Sequence, residues 1–432
     1  MRRVTVMIAL IAAGEAVFGL PFVLARVFRP TVLDVFGLTN LQLGLAFSFY
    51  GVAAMIAYFM GGPLADRFSA RRLMAVALLA TAAGGVVFAS IPSIQVLRPL
   101  YAYWGLTTVL LFWAALIRAT REWGDASSQG RAYGFLDGGR GLFAALLASV
   151  TVAVFAALLP ADVASATLVQ RTAALKQVIW IFTGLTAAAG ALVWFTVPET
   201  AADRNFGTPK FSMEGLRTVL RMPAVWLLAV IVVCAYVGYK GTDDFSLYAR
   251  DVFGYDDVAA AKIGTLSLWV RPFAAIAAGF IADRVGVSRT TAWSFGLMIL
   301  GSLMMIFGPP NFGVHWMLVL TVVGTSAGIM ALRGIYFALL GEGRVPMAFT
   351  GSAVGVVSVV GYTPDVFMGP VMGFLLDRSP GLLGHQHLFA MVAAFGILGL
   401  VSTMLFQRVT RGDASRYRRS FMVWLRGRSN SR

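Results

Sequence analysis

The sequence predicts an all-α integral membrane protein whose twelve transmembrane helices form two pseudo-symmetric six-helix bundles. Three observations predict this fold: an apolar composition, twelve long apolar runs and an internal duplication. Of the 432 residues, 58% are hydrophobic and 13% are charged, whereas a soluble domain carries about 25% charged residues. Such a chain has too few charged groups for a water-exposed surface, so we expect it to lie in a bilayer.

Each apolar run is long enough, at about 18 residues or more, to cross the hydrocarbon core as a helix. We place the runs at 4–28, 40–63, 73–91, 97–117, 132–158, 175–197, 223–248, 259–282, 290–307, 314–340, 348–376 and 387–407. The longest polar interruption separates the sixth run from the seventh. We therefore predict an N-terminal bundle (1–197), a cytoplasmic linker (198–222), a C-terminal bundle (223–410) and a basic tail (411–432). The tail either lies on anionic lipid headgroups or is a disordered basic end.

A repeated motif indicates that the two halves are copies of one unit. The pattern Gly-x-x-x-Asp-Arg, followed by further basic residues, ends the second run of each half. Its members are Gly62, Asp66, Arg67, Arg71 and Arg72 in the first copy and Gly279, Asp283, Arg284 and Arg289 in the second. The tetrapeptide 34–37 also recurs at 251–254, at the same offset as the two motif aspartates. A duplicated membrane bundle is the architecture of a carrier that works by alternating access.

The net charge of +15 is explained by membrane topology and does not require a nucleic-acid partner. Most basic residues outside the apolar runs fall in segments that share one side of the membrane with both termini. Because cytoplasmic loops are enriched in Lys and Arg, we expect both termini in the cytoplasm and a multi-pass protein in the inner (cytoplasmic) membrane. The single cysteine, Cys234, excludes an internal disulfide.

The two Gly-x-x-x-Asp-Arg loops resemble the signature of the major facilitator superfamily, and the resemblance covers essentially the whole chain. The first copy has Ser69 where that family commonly has Gly, and the second copy lacks a basic residue adjacent to Arg289. The resemblance implies the twelve-helix carrier fold, alternating access and a functional monomer without a cofactor. It says little about the substrate.

The same resemblance implies a cytoplasmic gate formed by the motif residues. In the family, the Asp of the first copy meets the start of helix 11 and an Arg at the inner end of helix 4, for which Arg118 and Arg121 are suitably placed here. A carboxylate at this position can accept N–H groups of a helix N-terminus and pair with an Arg. The alternative is a turn that only satisfies the membrane topology.

Basic residues within the apolar runs mark the candidate substrate site. A charge at the bilayer centre costs a few kcal/mol, so it usually faces a cavity or a partner. Arg140 and Arg271 fall near the midplane, and a single midplane Arg on helix 8 resembles the arrangement in oxalate and organophosphate carriers. Guanidinium groups bind carboxylate, sulfonate and phosphate with paired hydrogen bonds, which predicts an anionic substrate. The candidate binding residues are Arg271 and Arg140, assisted by Arg26, Lys240, Arg333, Tyr239 and Tyr362.

The alternative for these arginines is pairing with a nearby acid. The repeat offset maps Arg26 onto Asp243, and Asp137 lies one helical turn from Arg140. Arg271 has no acidic residue nearby in sequence, so this alternative is weakest for it.

Coupling to a proton requires a group that changes its charge during transport. All three histidines fall in loops or span ends on the side opposite the termini, so we expect no buried histidine relay. A carboxylate would then bind the proton. Glu15 is the first candidate because no basic residue is close to it in sequence, and Asp137, Asp243, Asp244 and Asp365 follow. Pro364 loosens helix 11 beside Asp365, as a hinge or only as a bend.

The sequence thus predicts a carrier of a small organic anion: a carboxylate, sugar acid, sulfonate or organic phosphate. Its coupling partner is a proton, as in a symporter, or a counter-anion, as in an exchanger. A drug or lipid exporter of the same fold and a non-transporting sensor remain alternatives. No motif supports an enzyme, a metal site or a cofactor.

Overall fold

A computed structural model describes residues 2–124, 129–199, 213–312, 315–346 and 349–429. Gly62, the Asp66 side chain and the side chains of the tail beyond Thr410 lie outside the described part of the chain. The described chain contains the twelve spanning helices predicted from the sequence, so this prediction is confirmed. We number them α1 to α12: Arg3–Val27, Asn40–Tyr58, Ala70–Ala89, Ile94–Trp123, Ala132–Leu158, Leu168–Thr196, Pro223–Phe253, Asp257–Val285, Val287–Gly308, Trp316–Glu342, Ala353–Arg378 and Leu382–Thr410.

Helical structure continues beyond several of these spans. The second helix runs over Asn40–Arg67, and the last over Leu382–Ser429. Two short helices, Arg29–Phe36 and Met213–Leu220, lie between spans. Since an even number of spans separates the chain ends, both termini lie on one side, which we call the termini side.

Irregular turns interrupt five of the described spans, one of them at Tyr336–Ala338 in α10. Wide π-helical turns occur at Gly19–Val23 in α1 and Leu106–Trp113 in α4, and a 3-10 turn at Thr242–Asp244 divides α7. In α11, one helical segment ends at Gly361 and the next begins at Pro364. Proline lacks the N–H that would continue the hydrogen-bond ladder, which accounts for the break in α11.

The two halves, α1–α6 and α7–α12, meet mainly along two crossed helix pairs, α2 with α11 and α5 with α8. The α2–α11 crossing depends on glycine. A Cβ at Gly44 would overlap the Gly369 carbonyl, and a Cβ at Gly51 would overlap the carbonyl of Asp365. These helices therefore touch backbone to backbone, as small residues allow in membrane bundles.

Polar contacts between the halves concentrate on the side opposite the termini. Arg250 Nη1 lies 2.9 Å from Asp34 Oδ2, and Arg171 Nε lies 3.1 Å from Asp257 Oδ2. Ser246 Oγ donates to the Arg26 carbonyl at 2.9 Å. These contacts close the opposite side.

We expect Gly44→Val to shift the conformational equilibrium away from the form with the opposite side closed. The added methyl groups overlap the Gly369 backbone, and overpacking of this kind costs about 1–3 kcal/mol. Spin labels on Val169→Cys and Leu383→Cys, in a Cys234→Ala background, report the separation of the halves on this side. Electron paramagnetic resonance should show a larger population at long distance.

The matched control is Gly184→Val on α6, because a Cβ at Gly184 meets nothing within 4 Å. An unchanged distance distribution in Gly44→Val would contradict the role assigned to the glycine crossing.

Candidate functional site

Four charged side chains meet near the middle of the bundle, and we call them the Glu15 quartet: Glu15, Asp137, Arg140 and Arg271. Glu15 Oε2 lies 3.4 Å from Arg140 Nε and 3.5 Å from Arg271 Nη1. Asp137 Oδ1 lies 3.1 Å from Arg271 Nη2 and 3.9 Å from Arg140 Nη1. Arg271 belongs to the C-terminal half and the other three to the N-terminal half, so the quartet joins the halves.

Helix position explains why these side chains meet. Glu15 is the central residue of α1, and Arg271 is the central residue of α8. Arg140 Nε donates to the Gly14 carbonyl at 3.0 Å, and a Cβ at Gly14 would lie 3.0 Å from Arg140 Cδ. The absence of a side chain at Gly14 therefore lets the aliphatic part of the Arg140 side chain approach α1. Arg271 lacks acidic neighbours in sequence, yet the tertiary structure supplies it with two carboxylates.

A second group, the Asp243 quartet, comprises Arg26, Lys240, Asp243 and Asp365. Arg26 Nε donates to Asp243 Oδ1 at 2.5 Å. Lys240 Nζ lies 3.1 Å from Asp365 Oδ1 and 3.9 Å from Asp243 Oδ2. Arg26 and Asp243 are 217 residues apart, which is the repeat offset, so the structure forms the pairing that the duplication suggested. Each quartet contains two basic and two acidic groups and is formally neutral.

Arg333 of α10 lies beside both quartets and is the exception to this balance. Within the described part of the chain it forms no ion pair, and its Nη1 is buried without an acceptor. Its guanidinium stacks 3.6 Å from the centroid of the Tyr239 ring. Tyr239 in turn accepts a hydrogen bond from Arg26 Nη1 at 3.0 Å, and Arg333 interacts electrostatically with Asp137. One positive charge of this region is thus left without a carboxylate partner.

Tyrosine rings form a wall beside Arg333. Tyr236 OH donates to the Asp365 carboxylate at 3.1 Å, and its ring packs edge-on against Tyr362 at 5.0 Å between centroids. Tyr362 also stacks on Tyr58 at 6.3 Å, and its hydroxyl lies 3.3 Å from that of Tyr336. The predicted residue Tyr362 is therefore part of a cluster that the sequence did not reveal. The hydroxyl groups of this tyrosine cluster can form hydrogen bonds with polar groups of a ligand.

Exposure decreases across the site from the termini side to the opposite side. The Asp137 side chain is 55% exposed, although it lies in a spanning helix and contacts Arg271 of the other half. Arg26 and Lys240, farther from the termini, are each 3% exposed. The space between the halves is therefore open toward the termini side.

The first motif copy can be described only in part, because Gly62 and the Asp66 side chain lie outside the described residues. Its predicted contacts with Arg118 or Arg121 and with helix 11 stay a prediction. Arg118 does reach this region: its Nη1 donates to the Ala65 carbonyl at 2.7 Å, while its Nε donates to Glu122 at 2.7 Å. Arg67 and Arg121 are exposed.

The other motif residues lie at helix ends on the termini side. Arg71 and Arg72 both pair with Glu199, which follows α6. These two ion pairs join α3 to the end of α6 and so stay within the N-terminal half. In the second copy, the exposed side chains are those of Asp283, Arg284 and Arg289, and Gly279 is partly buried in α8.

Two carboxylates missed by sequence reasoning hold helix N-termini. Glu342 at the end of α10 accepts from the Val287 backbone N–H at 2.7 Å. Asp377 at the end of α11 accepts from the backbone N–H groups of Asn40, at 3.0 Å, and Leu41, at 2.8 Å. Because α2 belongs to the other half, the Asp377 contact clamps the opposite side shut. The negative charge of Asp377 also interacts favourably with the positive, N-terminal end of the α2 dipole.

A sequence signal for Asp377 does exist. The segment from Gly373 to Arg378 repeats the Gly-x-x-x-Asp-Arg pattern a third time, at the opposite end of the molecule from the two copies predicted to form the gate. A Cβ at Gly373 would overlap the Asn40 carbonyl. The glycine thus allows contact with α2 and the aspartate caps it.

One histidine is buried, although the sequence predicts no buried histidine relay. His385, at the start of α12, is fully buried, with its Nδ1 2.6 Å from Asp244 Oδ2 and its Nε2 3.4 Å from Asp251 Oδ2. His385 is buried although it lies at a span end, because α7 and α12 pack together on the side opposite the termini. Asp244 therefore belongs to this separate group and not to the central site. Among the described residues, no cluster of His, Cys, Asp and Glu is suited to hold a metal ion.

Comparison with known proteins shows the family. The model of the Major Facilitator Superfamily matches residues 6–366. The chain therefore belongs to this superfamily and is a multi-pass membrane transporter.

Individual proteins resemble it along most of their length. Inner membrane protein YqcE of Escherichia coli is 28% identical over 93% of this chain and 94% of its own. The probable nitrate/nitrite antiporter NarK1 of Thermus thermophilus is 26% identical over 81% of this chain and 75% of its own. A bacterial homologue of the human lysosomal transporter Spinster, in an inward-facing and unoccupied conformation, has a TM-score of 0.72 at 16% identity, covering 95% of this chain and 98% of its own.

We expect Asp377→Ala to open the opposite side more often. Loss of a capping side chain costs about 0.5–2 kcal/mol, which at about 1 kcal/mol corresponds to a five-fold shift in population. Ser246→Cys, in a Cys234→Ala background, provides the measurement because Ser246 is fully buried between the halves. Its thiol should react several-fold faster with a water-soluble maleimide when Asp377 is replaced.

Asp162→Ala serves as the control, since it removes an exposed carboxylate from the same side. Equal thiol reactivity in Asp377→Ala and Asp162→Ala would argue against the clamp.

Proposed function

We propose that this transporter moves a small organic anion across the inner membrane by alternating access, with both termini in the cytoplasm and with proton coupling. The substrate class is a carboxylate, sugar acid, sulfonate or organic phosphate. The observation that carries the proposal is Arg333, whose guanidinium has no carboxylate partner among the residues that the structure describes and lies beside two neutral quartets. One negative charge on the ligand would balance it.

Energetic reasoning supports a ligand for Arg333. A buried donor without an acceptor costs about 1–3 kcal/mol, and a charge in a spanning segment costs more unless it is compensated. The Tyr239 ring offsets part of this cost through its π face. A carboxylate, sulfonate or phosphate would supply the missing acceptor with paired hydrogen bonds.

The name of one relative is compatible with an anionic substrate. By its name, NarK1 of Thermus thermophilus exchanges nitrate and nitrite, which are monovalent anions. The tyrosine wall beside Arg333 offers aromatic area and hydroxyl groups for a larger, organic ligand. We therefore favour an organic monoanion or a similar ligand with a polar body.

The conformation supports alternating access. The opposite side is closed by Asp34–Arg250, Arg171–Asp257 and the Asp377 clamp, while the Glu15 quartet opens toward the termini. With the termini in the cytoplasm, this is an inward-facing form, the state named for the similar Spinster homologue. Opening the other side requires that these contacts break and that equivalent ones form near the motif loops.

Glu15 is the proposed coupling residue. It is 4% exposed and contacts Arg140 in its own half and Arg271 in the other. Protonation of Glu15 would neutralise one of the two carboxylates of its quartet. Arg140 and Arg271 would then share only Asp137, and the quartet would carry one positive charge for an anion to balance. Proton and substrate anion would then bind together, which is the requirement for symport.

The test is ligand-induced thermal stabilisation of the purified protein. The panel contains gluconate, glucuronate, glycerol 3-phosphate, ethanesulfonate and nitrate, with glucose and ethidium as neutral and cationic comparisons. A ligand at 100 times its Kd stabilises the folded state by about 2.7 kcal/mol. We expect one anion class to raise Tm by a few degrees and Arg333→Gln to abolish the shift.

Arg289→Gln is the matched control, because Arg289 is an exposed arginine outside the site. Stabilisation by ethidium or by lipids alone would overturn the anion proposal in favour of an exporter. Binding without transport in liposomes would favour a sensor.

The coupling proposal predicts pH-dependent substrate affinity. If protonation of Glu15 favours anion binding, the affinity for the anion falls as the pH rises, by up to ten-fold per pH unit. In Glu15→Gln, which stays neutral, the affinity of the anion found in the panel should be independent of pH. Glu122→Gln, which also removes a carboxylate paired with an arginine, should keep the wild-type dependence, and a persistent dependence in Glu15→Gln would exclude Glu15.

A further inference from the structure

His385 and its two carboxylate partners form a buried group on the side opposite the termini, away from the central site. The imidazole lies between Asp244 and Asp251 of α7, and both His385 and Asp244 have fully buried side chains. We call these three residues the His385 trio. The trio links the start of α12 to the outer end of α7.

Hydrogen-bond stoichiometry defines the proton content of the trio. A neutral imidazole has one N–H donor and one acceptor nitrogen. Here both nitrogens face carboxylate oxygens, Nδ1 at 2.6 Å and Nε2 at 3.4 Å. Only an added proton, on the ring or on a carboxyl group, lets both contacts be hydrogen bonds. The two distances therefore fit a trio that holds one added proton and carries a net charge of −1.

Other charged and titratable groups compensate the trio only in part. The Tyr248 ring packs edge-on against the imidazole at 5.3 Å, and Arg250 Nε lies 3.1 Å from Asp251 Oδ1. Arg29, 1% exposed, interacts electrostatically with Asp244, Asp251 and Asp377. The titratable residue of α12 nearest to His385 in sequence, His387, is exposed. Loss of the proton would leave two carboxylates beside Asp377, a third acid.

A cavity of about 300 Å³ gives solvent a route to the trio. It is lined by Thr39, Asn40, Asp251, Asp377, Gly381 and His385. Thr39 and Asn40 belong to the N-terminal half and the other residues to the C-terminal half, so the cavity lies at the junction of the halves. Protons from the solution on the opposite side can reach His385 through it.

The trio is connected to the contacts that close this side. Asp251 pairs with Arg250, and Arg250 pairs with Asp34 of the N-terminal half at 2.9 Å. Asp377, on the wall of the same cavity, caps α2. We propose that the His385 trio is a proton-binding site that holds the opposite side closed when occupied and releases it when the proton is lost to the solution on that side.

The mechanism is electrostatic. When the proton leaves, the charge of the trio changes from −1 to −2, and Asp251 competes with Asp34 for Arg250. The negative charge near Asp377 also increases, and like charges at short range in a buried region repel strongly. The first effect weakens a contact between the halves. The second acts within the C-terminal half and favours hydration of its carboxylates, and together they oppose the attraction of Arg29, in the N-terminal half, to the more negative trio. This proposal concerns the gate and is independent of which substrate is carried.

The experiment measures the gate directly, without substrate. The labelled Val169→Cys/Leu383→Cys pair in the Cys234→Ala background is followed by electron paramagnetic resonance between pH 5 and pH 9 in nanodiscs. We expect the short-distance, closed population to dominate at low pH and the long-distance population to increase several-fold as pH rises. His385→Gln cannot bind the proton and should remove this pH dependence, whereas His387→Gln should retain it.

A distance distribution that does not change with pH, or a dependence that persists in His385→Gln, would overturn the proposal. Loss of the dependence in both histidine variants would also count against a specific site. If His385→Gln fails to fold, Asp251→Asn gives a second test, because Asp251 is partly exposed. Removing this carboxylate lowers the affinity of the trio for the proton, so the transition should move to lower pH.

Discussion

Compensation of charge within a low-dielectric bundle is the constraint on which this structure depends. A buried ion is tolerated only where its desolvation cost is offset by partners, and removal of one partner leaves the other uncompensated. The two quartets meet this requirement with residues from both halves. Every movement of one half against the other therefore changes the electrostatic balance of the site, which makes ionic networks suitable for coupling conformation to ligand and proton binding.

The neutrality of the quartets gives Arg333 its significance. A group with a partner already present must exchange that partner when a ligand binds, and much of the gain is cancelled. Arg333 has no carboxylate to give up among the described residues, so an anionic ligand at this position is a net gain. Anion binding by Arg271 and Arg140 requires a further step, because a proton on Glu15 must first weaken the contacts that these arginines already make.

Closure of the opposite side combines shape with charge. Glycines at the α2–α11 crossing allow the backbones to touch, and this contact brings the N-terminus of α2 within reach of Asp377. The ionic contacts of Arg250 and Arg171 then lie around the same junction. Backbone packing sets where the halves meet, and polar contacts that water or protons can disrupt determine how firmly they hold.

The sequence by itself determined the spans, their number, the duplication and the family resemblance, because these follow from hydropathy and spacing along one chain. It also indicated the Arg26–Asp243 pairing, since a duplicated bundle brings equivalent positions together. Only the tertiary structure decided that Arg271 meets Glu15 and Asp137, that Arg333 has no carboxylate partner among the described residues and that His385 is buried. Those facts depend on which helix faces pack across the interface between the halves, over separations such as 256 residues between Glu15 and Arg271, and no local pattern encodes that packing.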